Sequence, residues 1–371
     1  MGKLEQDDEK PDSYFEMTSE KSVFFSIFLD IAHEQIDRGV EVDEAVRKTA
    51  DAFIKALPAI TQTTVQSLHE SKSTLLDALT ESRRQMESEI QDKWGTAFGN
   101  YQAVAYLAYE LCNKAREGYL NSLEHGGSED LTVEMLFLLL GRACTVAEEV
   151  LCLMRGGLED GAVARRRTLH ELAVVTNLLA ENSLLSLGER YQDYAVVEQY
   201  EDMKNYQENV ERLGYTPFSA EDVETVREQY DEMLTKYGST FRKPHEWARP
   251  LFTSSTEQIT FVKLEKLVKL DHLRPFYRQS NHYVHAGPRA ALLNVIDRDY
   301  GSFIGVGARW DVALGEIGHG SLISLLQCTS ALLAYDFDAH DNPDITVGLH
   351  CMAQLVDDAG LSFSRASSRH G

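Results

Sequence analysis

The chain has 371 residues, 43% of them hydrophobic, and a formal net charge of −23. That length and apolar content are enough for one large domain or two ordinary ones with a real core, and they exclude global disorder. The charge excludes a surface that coats nucleic acid generally, because phosphate binding needs clustered Lys and Arg, but it leaves room for a small basic pocket.

The N-terminal residues 1–18 read as a disordered acidic tail. They lack the basic region and apolar run of a signal peptide, and Gln6 stands where a myristoylation signal needs Ser or Thr. The 5 cysteines include no CxxC pair and read as reduced thiols. A cytoplasmic protein is expected. Next, "KSVFFSIFLDIAHEQIDRG" places apolar residues at helical spacing and stops at Gly39. A second amphipathic helix, "VDEAVRKTADAFIKALP", is expected to close before Pro58. From Ala59 to about Leu123 the chain is charged and helix-forming, with apolar positions three and four apart, as in a coiled-coil arm. Residues 19–125 thus form a long-helix arm whose apolar seam is expected to pair in a homodimer. The run "HGGSED", His125–Asp130, is the clearest punctuation and the expected domain boundary.

Residues 129–361 are expected to form an all-α helical bundle. Two strongly apolar helices are joined by a turn at Gly156 and Gly157. An acidic, tyrosine-rich insertion follows at about 188–250, split near Gly214–Pro217, with Ser219 and Asp222 as a capping box; its charge suits a protein partner. Further on come "ITFVKLEKLVKL" and the stretch "HLRPFYRQSNHYVHAGPRA", stopped by "AGP". The run Ile317–Tyr335 is too polar for an ordinary membrane span and reads as a buried helix, one of two core helices at the C-terminal end. No long period-two run indicates a sheet of consequence.

Two polar clusters carry possible chemistry. In "RRRTLHE", Arg167, His170 and Glu171 share one face of an otherwise apolar helix, so they form either a structural network or a site wall. The stretch His272–Ala290 packs three histidines, three arginines and two tyrosines into an acidic chain. On a helix, Arg278, Asn281, His282 and His285 make one stripe, flanked by Tyr277 and Ser280. Imidazole moves protons near neutral pH and guanidinium holds charge growing on phosphoryl oxygens, which suits phosphodiester cleavage. The plain alternative is a polar seam bonded to neighbouring helices. A metal shared by His282, His285 and Glu171 or His170 lacks the repeated Glu-x-x-His of helical di-iron sites. No dinucleotide loop, Walker A motif or GxSxG elbow is present, so neither metal nor cofactor is expected.

The order of these pieces resembles a bacterial family of unknown function. Its members carry an Arg-x-Leu-x-Glu-like helix, here Arg167, Leu169 and Glu171, then a Tyr-x-x-Ser-x4-His helix, here Tyr277, Ser280 and His285. The resemblance covers about residues 130–360. Arg278 followed by six residues and His285 is also similar to the motif of HEPN domains. That resemblance implies a HEPN-like bundle and a metal-independent RNA endonuclease of bacterial stress or phage defence. His285 would be its acid–base group and Arg278 its charge stabiliser. Asn281 or His282 would orient the phosphate, and Glu171 would hold Arg278 or His285. Arg167, His170, Tyr277 and Ser280 would line the substrate site. The alternative function is a non-enzymatic, protein-binding helical module.

Overall fold

The structure, a computed structural model, describes residues 23–182, 185–292, 295–298, 301–304, 313–335 and 342–368. The expected acidic tail lies outside the described residues. The architecture is all-α, with one short antiparallel hairpin of β1 (Val295–Arg298) and β2 (Gly301–Ile304), in which Val295 pairs Ile304 and Arg298 pairs Gly301. The chain divides into two compact units, Met1–Arg83 and Arg84–Gly371, so the turn after Glu124 falls inside the second unit.

In the first unit, α1 (Val23–Asp37) stops where Gly39 takes a φ of +87°, a conformation costly for any residue with a Cβ. Ala32 of α1 and Ala45 and Thr49 of α2 (Val42–Glu124) are buried, and Gln35 donates to the Thr49 hydroxyl across 3.1 Å. The expected break before Pro58 does not occur, and α2 runs through it to Glu124, 83 residues in all. Pro58 lacks the N–H that would reach the Ile54 carbonyl, so the helix forgoes that one bond and continues.

In the second unit, the later part of α2 enters a core with α3 (Leu131–Arg155), α4 (Glu159–Glu181), α10 (Leu314–Ala334) and α11 (Pro343–Ser367). Trp94 and Phe98 pack on Phe363 with ring centroids 6.1 and 6.3 Å apart, the Tyr101 hydroxyl donates to the Ala147 carbonyl, and Asn100 donates to Ser362. Asp130 caps α3 by accepting from the Thr132 and Val133 amides, and Gly157 turns the chain into α4 with a φ of +66°. Helix α10 has the length and composition to cross a membrane, but its Ile317, Leu322, Leu325, Cys328 and Leu332 are buried in this core. The acidic insertion forms α5 (Leu187–Leu213) and α6 (Ala220–Tyr237), and Ser219 caps α6 in the expected box with Asp222. Two short helices, α7 (Phe261–Leu267) and α8 (Arg274–Val284), then lead to α9 (Pro288–Leu292). The five cysteines are all free; Cys328 is buried, Cys112 and Cys144 half-buried, Cys152 and Cys351 exposed.

Candidate functional site

The polar cluster on α4 is closed by α7 and α8. Tyr277 has an apolar ring and a polar tip, and both are used. Its ring stacks on Phe261 at 5.1 Å and lies under the Arg167 guanidinium at 4.8 Å. Its hydroxyl donates to Glu171 Oε1 at 2.7 Å and accepts from Arg167 Nη2 at 2.9 Å. Arg167 and Glu171 also pair directly at 3.0 Å, one helical turn apart. Burial, followed by the hydrogen bond to Glu171, pushes the Tyr277 hydroxyl up to about 12, so it stays protonated and remains a donor.

A second ladder runs beside the first. Glu265 on α7 is fully buried, and a buried carboxylate needs partners. Its two oxygens meet His170 Nε2 at 2.8 Å and the Arg274 guanidinium. Arg166 pairs with Glu316 at 3.0 Å and lies over the Phe276 ring, ahead of Gly320 on α10, where a Cβ would fall 2.6 Å from Arg166 Nε. What is left between α4, α8 and α10 is a cavity of about 30 Å³, lined by Arg166, Arg167, His170, Tyr277, Ser280 and Ser324 among others. It has room for a water molecule and none for a nucleotide.

The predicted site residues therefore separate into two groups. Arg167, His170, Glu171, Tyr277 and Ser280 come together on the inner side of α8, where the Ser280 hydroxyl also donates to the Phe276 carbonyl. Arg278 is exposed, and Asn281 and His282 are half-buried. The helix ends at Val284, and His285 is its exposed C-cap in extended conformation, φ −111° and ψ 137°. The expected single stripe thus stops one residue short, at His285, whose carbonyl accepts from the Gly287 amide as the chain turns out of the helix toward Pro288. Glu171, expected on Arg278 or His285, is held by Tyr277 and Arg167 instead. Among the described residues no three of His, Cys, Asp and Glu group as metal ligands would.

Glu265, Arg274 and Phe261 complete the inner network without having been singled out in the sequence. The usable signal was Glu265 itself, an acid on the apolar face of "FVKLEKL" that had to find a cation. His245 adds a further neighbour: burial holds its imidazole below the usual histidine value, and the charge of Glu171 opposes that shift.

A family model described as "Family of unknown function (DUF5677)" matches residues 133–303. That stretch contains α4, α7 and α8, so both ladders fall within it, while α10 and α11 lie beyond it. No curated protein and no solved structure matches the chain.

Proposed function

We propose that the chain is an endonuclease for single-stranded RNA and that the outer surface of α8 is its working face. One observation carries this reading. In a chain of net charge −23, residues 272–290 contain no carboxylate, and they leave Arg278, His285 and Arg289 exposed to solvent. An RNA phosphate can approach here without meeting an acidic side chain of the same segment. The inner ladders serve a separate purpose. They brace α8 against α4, and a rigid support is what a positioned acid–base group needs.

In this mechanism His285 removes the proton from a ribose 2′-OH. The freed oxygen attacks the adjacent phosphorus, the bond to the 5′-oxygen breaks, and that oxygen leaves with a proton taken from water. The products are a 2′,3′-cyclic phosphate and a 5′-hydroxyl end. Arg278 holds the charge on the crowded phosphorane, and His282 or Asn281 orients the phosphate. The similarity of Arg278 and His285 to the HEPN motif supports a role in bacterial stress or phage defence.

Purified protein should cut single-stranded RNA in the presence of a chelator and leave the matching DNA intact. His285→Ala and Arg278→Ala should each lower the rate by roughly 100-fold or more. Both residues are exposed, so neither change should move the melting temperature appreciably. Absence of cleavage across RNAs of varied sequence, or unchanged rates in both variants, would overturn the reading.

A second reading rests on a different feature. Between α5 and α6 lies a groove of about 1020 Å³ lined by Glu198, Asp202, Asp222, Tyr206 and Phe218 among others. Burial, with Asp202 one turn away, holds the Glu198 carboxyl above its usual range. A helical module that binds a basic protein segment would use this groove. Binding of an arginine-rich peptide that is lost in Glu198→Gln/Asp202→Asn, in a protein that cuts no RNA, would select this second reading.

A further inference from the structure

The stretch of α2 from Ile54 to Leu79 is helical but covered by almost nothing. Between residues 51 and 89 only Phe53, Ile60 and Met86 are half-buried, and the rest are exposed. Ile54, Leu57, Val65, Leu68, Leu75, Leu76 and Leu79 each keep between 46% and 66% of their surface in water. At 100° per residue they fall within one stripe about 100° wide that stays on a single face for about seven turns. A helix draws its stability from packing or from ion pairs one turn apart. Residues 56–68 have neither, since no charged side chain occurs among them, while Pro58 and the β-branched Ile60, Thr61, Thr63, Thr64 and Val65 weaken the helix further. Something must cover this face.

The spacing of the stripe identifies what covers it. Ile54 and Leu79, Leu57 and Leu76, Thr61 and Lys72, and Val65 and Leu68 lie in pairs at equal distances on either side of the Gln66–Ser67 bond. A second copy of the helix laid antiparallel about that midpoint sets each residue against its mate: three apolar layers and one in which the Lys72 ammonium can reach the Thr61 hydroxyl. A parallel pair would instead set the Lys72 ammonium against its own copy. Such self-complementarity is the mark of a two-fold interface. Seven half-exposed large side chains amount to several hundred Å², on the order of the ~800 Å² each partner gives to a specific interface. We infer that residues 54–79 form an antiparallel two-helix interface with a second copy of this chain.

The full chain should sediment as a dimer at micromolar concentration. Val65→Glu/Leu68→Glu should weaken dimerisation by about 100-fold or more, with Trp94 and Trp247 fluorescence in the second unit unchanged. Orientation is read by thiol cross-linking with a short bismaleimide, in protein whose exposed Cys152 and Cys351 are replaced by Ser. Ile54→Cys/Leu79→Cys should link into covalent dimers, and Ile54→Cys alone should not. A monomeric wild type would overturn the interface, leaving the face to a different protein. Efficient linking by Ile54→Cys alone would overturn the antiparallel pairing.

Discussion

The hydroxyl of Tyr277 is the atom that ties α8 to α4, since it both donates to Glu171 and accepts from Arg167. Tyr277→Phe removes it but leaves the Arg167–Glu171 pair standing, so the loss should lie near the lower end of the 1–3 kcal/mol for a broken buried network, about 1 kcal/mol by chemical denaturation. The size of this effect separates inner from outer residues, because His285→Ala should change stability by less than about 0.5 kcal/mol. Two other histidines give the fold a pH dependence. Burial holds His245 and His319 below the ordinary value of 6.5; near His245, Glu171 opposes the shift, and near His319, Asp357 opposes it while Arg166 adds to it. The unfolded chain therefore binds protons that the folded one resists. Their contribution to stability is whole above pH 6.5 and is lost as pH falls from 6.5 through the depressed folded-state values. Melting temperature should drop over that interval, and less steeply in His319→Gln.

At the level of elements, the helix contacts can be tested with alanine at two glycines. Gly318 on α10 meets the ring of Phe363 on α11, where an added Cβ would fall 2.2 Å from the ring edge. Phe363 is buried and cannot swing away, so Gly318→Ala should destabilise by about 1–3 kcal/mol despite the helix propensity gained. Gly141 on α3 has nothing within 4 Å of that position, and Gly141→Ala should stabilise by about 0.5–1 kcal/mol. Both are read by thermal melts. What the sequence made legible follows the same division between local and distant. The stop at Gly39, the turn at Gly156 and Gly157, the division of α5 from α6 and the Ser219 cap all depend on neighbours a few residues away, and each was readable. Pro58 misled because a proline's local cost was weighed without the long flanking helix, and His285 because seven-residue spacing implies one face only while the helix lasts. His170 and Glu265 are 95 positions apart, and nothing in either segment names the other.

For the molecule as a whole, a net charge of −23 means that the compact state gathers like charges the unfolded chain would spread apart. Added salt shortens the reach of that repulsion, so melting temperature should rise between low and physiological ionic strength. A melting temperature independent of salt would mean that the acidic side chains are neutralised pairwise instead. The packing of Phe363 on Trp94 and Phe98 has a different consequence, for the order of events during synthesis. The aromatic pair leaves the ribosome some 270 residues before its cover does, which at 5–20 residues per second is a delay of roughly 15 to 50 seconds. During that interval α2, α3 and α4 can associate, but the bundle has an open aromatic side. A nascent chain of this protein therefore presents a tryptophan-bearing apolar surface for most of its translation, and that surface closes only when α11 arrives.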